Sequence, residues 1–260
     1  MLLSPSLAES LLFQPSRGDP GPPPQLRGVG GRSLTLTTDD GVGIQAWWYD
    51  LGDGPSVLFL HGNAGDISHR TPIAEGLLDE GMSVLLLEYR GYGGSQGKPS
   101  EDGVHIDALA GYDFLVEAGG DSRPIVVFGR SMGGAVAARL AARRPTGALV
   151  LESSFTSLEA MGRVLYPFLP GFLFRRLRGH FDTLASVRVV DAPLLVVHGT
   201  ADEIIPLRMG LELLGGGNQP KEWLGVDGAG HNDVYWVGGG DYFRRIGDFI
   251  RRYVKGGPLD

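Results

Sequence analysis

Residues 124–144 read PIVVFGRSMGGAVAARLAARR. A Val/Ile run, Ile125–Phe128, leads into Gly129-Arg130-Ser131-Met132-Gly133 and then into an alanine-rich stretch at helical spacing. A bare G-x-S-x-G occurs often by chance. Between a buried strand and a helix, however, it is the setting a nucleophile elbow requires. Its glycines let the backbone turn sharply and let the helix close on the strand. The serine hydroxyl then stands above the sheet at the positive end of the helix. The alternative, Ser131 serving only as a helix N-cap, does not account for the flanking glycines or for Gly134 after them.

Similar runs surround this one. Val57–Leu60, Val84–Leu87, Ala148–Leu151 and Leu194–Val197 are short, nearly pure in Val, Leu and Ile, and bounded by Gly, Pro or polar residues. Such runs fit parallel strands buried on both faces. Ser33–Thr38 and Ile44–Tyr49 flank Asp39-Asp40-Gly41 and predict an antiparallel hairpin. Lys221–Val226 is an eighth candidate. Helical spacing covers 103–118, 132–143 and 241–254. The alternation predicts an α/β fold with an eight-stranded, mostly parallel sheet and helices on both faces. Residues 1–32 read as an N-terminal arm and Pro/Gly-rich connector, and 33–260 as one domain. Residues 155–190 break the rhythm and read as a small cap insertion over the strand ends.

The chain has 260 residues, with 30 acidic against 23 basic side chains and a formal net charge of −7. That balance argues against nucleic acid as a partner. The absence of cysteine excludes disulfides, zinc-thiolate sites and a cysteine nucleophile. No His/Asp/Glu cluster has metal-ligand spacing, so neither metal nor cofactor is expected. No apolar stretch approaches the roughly 20 residues of a membrane span. The N-terminus lacks the basic region and unbroken apolar core of a signal peptide. A soluble, cytoplasmic protein acting on a small molecule is therefore expected.

A serine hydroxyl needs a base, and the base needs an orienting acid. His231 lies in the small-residue loop Gly228–Asp233, before the final helix, where it can reach the strand ends. His69, His105 and His180 read as surface residues, and His198 as a core or supporting residue at a strand end. Asp202, in HGTADEIIP, is the candidate acid, with Glu203 as the alternative. Asp227 and Asp233 read as shaping the His231 loop. The order Ser131, Asp202, His231 is that of the α/β-hydrolases. The glycine-flanked loop Leu60–Gly65 offers backbone donors for a developing oxyanion, and the N–H groups of Asn63 and Met132 are the expected pair. His61 in that loop reads as loop-fixing. Tyr92 and the aromatic stretch YPFLPGFLF (166–174), with Tyr166, Phe168 and Phe172, are candidates for the substrate pocket. The same stretch reads equally as a lid or as packing.

The strings LLFQPSR, LHGNAGDISHR, EYRGYGGSQGKPSE, FGRSMGGAVA, LESSFTSL, HGTADEIIP and GAGHND follow one another between residues 11 and 233. Together they resemble the BEM46-like group of the serine α/β-hydrolase superfamily, which includes the ABHD13- and ABHD17-like proteins. The resemblance implies the eight-stranded fold and the roles of Ser131, Asp202 and His231 as nucleophile, acid and base. Eukaryotic members carry a membrane anchor or a cysteine-rich N-terminus, and neither is expected here. The chain also carries Glu88 where many relatives have Asp, a position expected to be structural. The leading expectation is hydrolysis of carboxylic esters of short to medium acyl chains through an acyl-enzyme, with thioesters as a variant. An amidase or small peptidase would use the same residues. A non-catalytic binding protein would not need the intact set. Ser131 excludes the aspartate chemistry of haloalkane dehalogenases.

Overall fold

The apolar runs become strands because only a position covered on both faces hides every side chain of a Val/Leu/Ile segment. A computed structural model describes residues 12–119 and 124–254. Its main strands are β1 (Arg32–Thr37), β2 (Gly43–Tyr49), β3 (Ser56–Leu60), β4 (Ser83–Leu87), β5 (Ile125–Arg130), β6 (Ala148–Glu152), β7 (Leu194–Gly199) and β8 (Lys221–Val226). All residues of β3 to β7 are buried. The sheet order is β8-β7-β6-β5-β3-β4-β2-β1, and only β2 runs against its neighbours.

Successive side chains of a strand point to opposite faces. Leu58, Leu60, Leu85, Leu87 and Val127 face one core, covered by helices α2 (Glu101–Gly119), α3 (Met132–Ala141) and α6 (Leu207–Gly216). Val57, Phe59, Val84, Leu86 and Val126 face the other, covered by α1 (Thr71–Asp79) and α7 (Val234–Tyr253). Trp47 and Trp48, adjacent on β2, supply one ring to each core.

Helices α1 and α6 lie outside the stretches expected to be helical, although both are amphipathic and α1 opens with Pro72. Glycines weaken both, and packing overrides propensity. Gly210 of α6 lies so close to β7 that a Cβ there would sit 2.6 Å from His198 Nδ1. The helix expected at 241–254 is the second part of a longer one. It starts at Val234 and kinks at Gly239, whose φ of 53° no helix accommodates.

Residues 153–193 connect β6 to β7 and hold two short helices, α4 (Leu158–Leu165) and α5 (Thr183–Val187), with a 3-10 segment Gly171–Leu177 between them. They form the cap. The N-terminal segment is tied to the sheet end. Gln14–Pro15 pairs in parallel with Ala64–Gly65, and Phe13 is buried against the rings of Tyr92 and Phe181. Of the expected arm, residues 1–11 lie outside the described residues. Because β5, β7 and β8 are parallel, the loops after them open at the same edge of the sheet, where open α/β sheets gather their ligands.

Candidate active site

Ser131 stands at the turn from β5 into α3 with φ 54° and ψ −119°. A non-glycine residue holds such a conformation only where its surroundings enforce it. Here two glycines do so. A Cβ on Gly129 would lie 2.2 Å from the Gly133 carbonyl oxygen, and one on Gly133 would lie 2.0 Å from that of Leu60. Ser131 N–H donates to the Glu152 carbonyl at 2.8 Å, and Ser154 Oγ donates to the Ser131 carbonyl at 3.0 Å.

The loops after β7 and β8 bring two more side chains to this turn. His231 Nε2 is 3.1 Å from Ser131 Oγ, and His231 Nδ1 is 2.9 Å from Asp202 Oδ2. The other Asp202 oxygen accepts from the Ile204 and Ile205 N–H groups at 2.9 and 2.8 Å. Burial alone would raise the Asp202 pKa. Hydrogen bonds from His198 and His231 outweigh it and hold the carboxyl well below the usual carboxylate range. Asp202 is therefore an anion at neutral pH, with Nδ1–H of His231 donating to it and Nε2 left to face the serine.

Glu203, the alternative acid, does not reach the imidazole. Its Oε2 accepts from the backbone N–H of His231 at 3.2 Å. Asp233 accepts from Gly230 N–H at 2.7 Å and Asp227 from Thr200 Oγ at 3.1 Å, so both brace the loops. His198 is fully buried, donates from Nε2 to the Ile205 carbonyl at 2.9 Å and stacks on Trp223.

Arg130 carries no sequence signal beyond being a variable letter of the elbow. It pairs with Glu152 at 3.0 Å, donates to the His231 carbonyl at 3.0 Å and lies over the Tyr235 ring. Glu152 in turn accepts from Tyr242 Oη. A buried chain thus runs from α7 through β6 to the backbone of His231.

The loop after β3 packs on the elbow, with Gly62 separated from Ser131 Cβ by 3.4 Å at an added Cβ. Among the described residues, no turn or loop hydrogen bond uses the N–H of Asn63 or Met132. The rest of Asn63 is clamped. Its Nδ2 donates to the Leu12 carbonyl at 2.9 Å, while its own carbonyl accepts from Gln14 N–H at 2.9 Å and Tyr92 Oη at 2.8 Å. His61 holds the Gly62 carbonyl at 2.7 Å and faces Glu88 at 3.0 Å, and Glu88 also accepts from Ile67 N–H at 2.9 Å.

A cavity of about 780 Å³ opens in front of Ser131 and His231. Leu158, Met161, Leu165, Tyr166 and Phe174 of the cap form its apolar wall. Three of the four expected pocket residues lie elsewhere. Tyr92 is fully buried behind the Asn63 loop, and Phe168 and Phe172 point to solvent at 78% and 58% exposure. Phe168 lies in the turn between α4 and the 3-10 segment, where Tyr166 turns inward and Phe168 outward. Among the described residues, no group of His, Asp and Glu could hold a metal ion, and no helix is long and apolar enough to cross a membrane.

The alpha/beta hydrolase fold family matches residues 55–179. The alpha/beta hydrolase domain-containing protein WAV2 of Arabidopsis thaliana is 33% identical over 242 residues, covering 85% of this chain and 79% of WAV2. The bem46 protein of Schizosaccharomyces pombe is 36% identical over 202 residues, covering 75% and 67%. An esterase of Pyrococcus furiosus, Pf2001, superposes over 94% of this chain and 100% of its own with a TM-score of 0.79 at 26% identity. By fold and by these relatives, the chain belongs to the alpha/beta hydrolase family.

Proposed function

We propose that this protein hydrolyses carboxylic esters through an acyl-enzyme on Ser131. The observation that carries the reading is the relay Ser131–His231–Asp202, with contacts of 3.1 and 2.9 Å at the floor of an open cavity. Ser131 Oγ attacks the ester carbonyl carbon while His231 Nε2 takes the hydroxyl proton. Asp202 stabilises the resulting imidazolium. The N–H groups of Asn63 and Met132 receive the oxyanion of the tetrahedral intermediate. Its collapse breaks the bond to the alcohol oxygen, which takes the proton from His231. Water then attacks the acyl-enzyme with His231 again as base, and the acid leaves. Leu158, Met161, Leu165 and Phe174 would hold the acyl chain. The cap is short and its helices span at most two turns or so, which favours short to medium chains.

A fluorophosphonate probe tests the nucleophile. It should label the protein once, at Ser131, and Ser131→Ala should lose both labelling and turnover of p-nitrophenyl esters while keeping its circular dichroism spectrum. Labelling at another residue, or undiminished turnover in the variant, would sink the assignment. Across the acetate-to-palmitate series, kcat/KM should peak before the longest chains.

A further inference from the structure

Arg70 ends the 3-10 turn Ile67–Arg70 that follows the Asn63 loop, and it lines the cavity in front of Ser131. Among the described residues its guanidinium meets no carboxylate directly. One Nη donates to the Ala64 carbonyl. Its Nε is shut off from solvent and finds no acceptor. Glu88 and Asp66 favour its charge through space, but their hydrogen bonds go elsewhere: Glu88 meets His61 and Ile67 N–H, and Asp66 the N–H and hydroxyl of Ser68. Burial, followed by the like charge of Arg130, pushes the Arg70 pKa below its usual value. Arg70 is partly exposed, so its outer guanidinium nitrogens remain open to a ligand, and a partly desolvated cation gains from a direct anionic partner.

Two further features make this wall a place for a ligand. His69 stands beside Arg70 on the same cavity wall, 61% exposed at its side chain. Between them lies Gly65, at φ +83°, where an added Cβ would come within 3.0 Å of His69 Nδ1 and 3.1 Å of Arg70 Nη2. The missing side chain keeps the approach to both groups open. The cap wall is apolar and the wall at Gly65–Arg70 carries the Arg70 guanidinium, so the cavity is two-sided.

Resting on the acyl-enzyme reading, we propose that Arg70, with His69 beside it, is a subsite for an anionic oxygen group on the substrate's alcohol part. The acyl chain takes the apolar cap wall. A phosphate or a carboxylate on the alcohol then gives the guanidinium a direct anionic partner. Esters of phosphorylated or carboxylated alcohols are the substrate class this cavity selects.

The test compares matched butyrate esters: neutral 1-butyrylglycerol, 1-butyrylglycerol 3-phosphate, and O-butyrylglycolate as the carboxylate arm. At least one anionic ester should exceed the neutral one in kcat/KM by tenfold or more. Arg70→Gln should bring that ratio close to one, mainly through KM, and Arg70→Lys should retain part of it. The proposal is overturned if the wild type shows no preference. It is also overturned if Arg70→Gln lowers all three esters by one factor, the signature of a residue that only holds the Ala64 carbonyl. Calorimetry of glycerol 3-phosphate and glycolate with Ser131→Ala, against the Ser131→Ala/Arg70→Gln pair, reads the subsite without turnover. Binding that needs Arg70 in a protein that cleaves no ester would break the acyl-enzyme reading and keep the subsite. Ester cleavage with neither preference nor binding would do the reverse.

Discussion

The elbow at Ser131 and the cap stretch around Phe168 border the same cavity but are held in place differently. At the elbow, backbone meets backbone. Gly129 and Gly133 leave no room for a methyl group, and Ser131 is forced into φ 54°. In the cap, side chains do the work on short helices. Leu158, Met161 and Phe174 turn inward and are buried, while Phe168 and Phe172 a few residues away are exposed. Close backbone approach admits one arrangement. Side-chain packing on a short helix admits many of similar energy. The reacting geometry should therefore be brittle and the pocket lining tolerant, and the variants below probe that contrast.

The largest effect is expected at the acid. Asp202→Asn keeps the shape but removes the charge that fixes Nδ1–H of His231, and a triad so altered typically loses about 10⁴-fold in turnover. Glu203→Gln keeps an acceptor for the His231 N–H and should cost tenfold or less. A steady-state comparison of kcat for the two variants decides between them. The opposite ranking would mean that the hydrogen bond of 2.9 Å to Asp202 is not the one that matters.

Next comes the elbow itself. Gly133→Ala would place a methyl group 2.0 Å from the Leu60 carbonyl oxygen and 2.5 Å from that of His61, both backbone atoms of β3 and its loop. Relief requires α3 to move off β3, so we expect a loss of more than about 4 kcal/mol in urea unfolding, or no folded protein. A Gly133→Ala variant of near wild-type stability would show that the elbow is softer than this contrast requires.

Much of this side was legible in the chain because close approach demands glycine, and glycine leaves a string. G-x-S-x-G, the Gly62 and Gly65 loop and the Gly228–Gly230 loop all mark places where backbone or ligand comes near. Pure Val/Leu/Ile runs located the strands within about two residues. Arg130 and Glu152 could not be read, since their roles exist only once β5, β6 and α7 are side by side. Tyr92 was misplaced for a related reason. Its loop turns at Gly91 and Gly93, with φ of 77° and 50°, and that turn sends the ring behind the Asn63 loop and not into the cavity. Nor does composition tell which aromatic of 166–174 faces inward. Direction along a short, proline-broken stretch is set by what it packs against.

Where the layer helices meet the cap, a second variant probes stability. His105 of α2 is 6% exposed, neither ring nitrogen has a partner, and its ring lies against Phe181. Burial, followed by the charges of Arg139 and Arg143, pushes its pKa down to about 3. The folded state thus refuses a proton that the unfolded chain accepts below about 6.5. Its contribution to stability is complete above that value and is lost as pH falls toward about 3. At about 1.36 kcal/mol per unit, acidifying from pH 7 to 5 should cost roughly 2 kcal/mol through this residue. Urea midpoints at the two pH values should differ less in His105→Phe than in wild type. Equal differences would place the acid sensitivity elsewhere.

The smallest effects should come from the cap surface, where direction is everything. Phe168→Ser and Phe172→Ser alter side chains that point to solvent and lie outside the cavity wall, so stability should stay within about 0.5 kcal/mol. Their acyl-length profile should stay within twofold of wild type. Leu165 is also half exposed, at 54%, but lines the cavity. Leu165→Trp should narrow that wall and depress octanoate several-fold while sparing acetate. The three variants separate exposure from location, because all three residues are solvent-accessible and only Leu165 borders the cavity. If Phe168→Ser shifted the chain-length optimum as much as Leu165→Trp, the outer face of the cap would have to turn inward during turnover. The cap would then be a moving lid, and its tolerance would no longer follow from how its side chains rest.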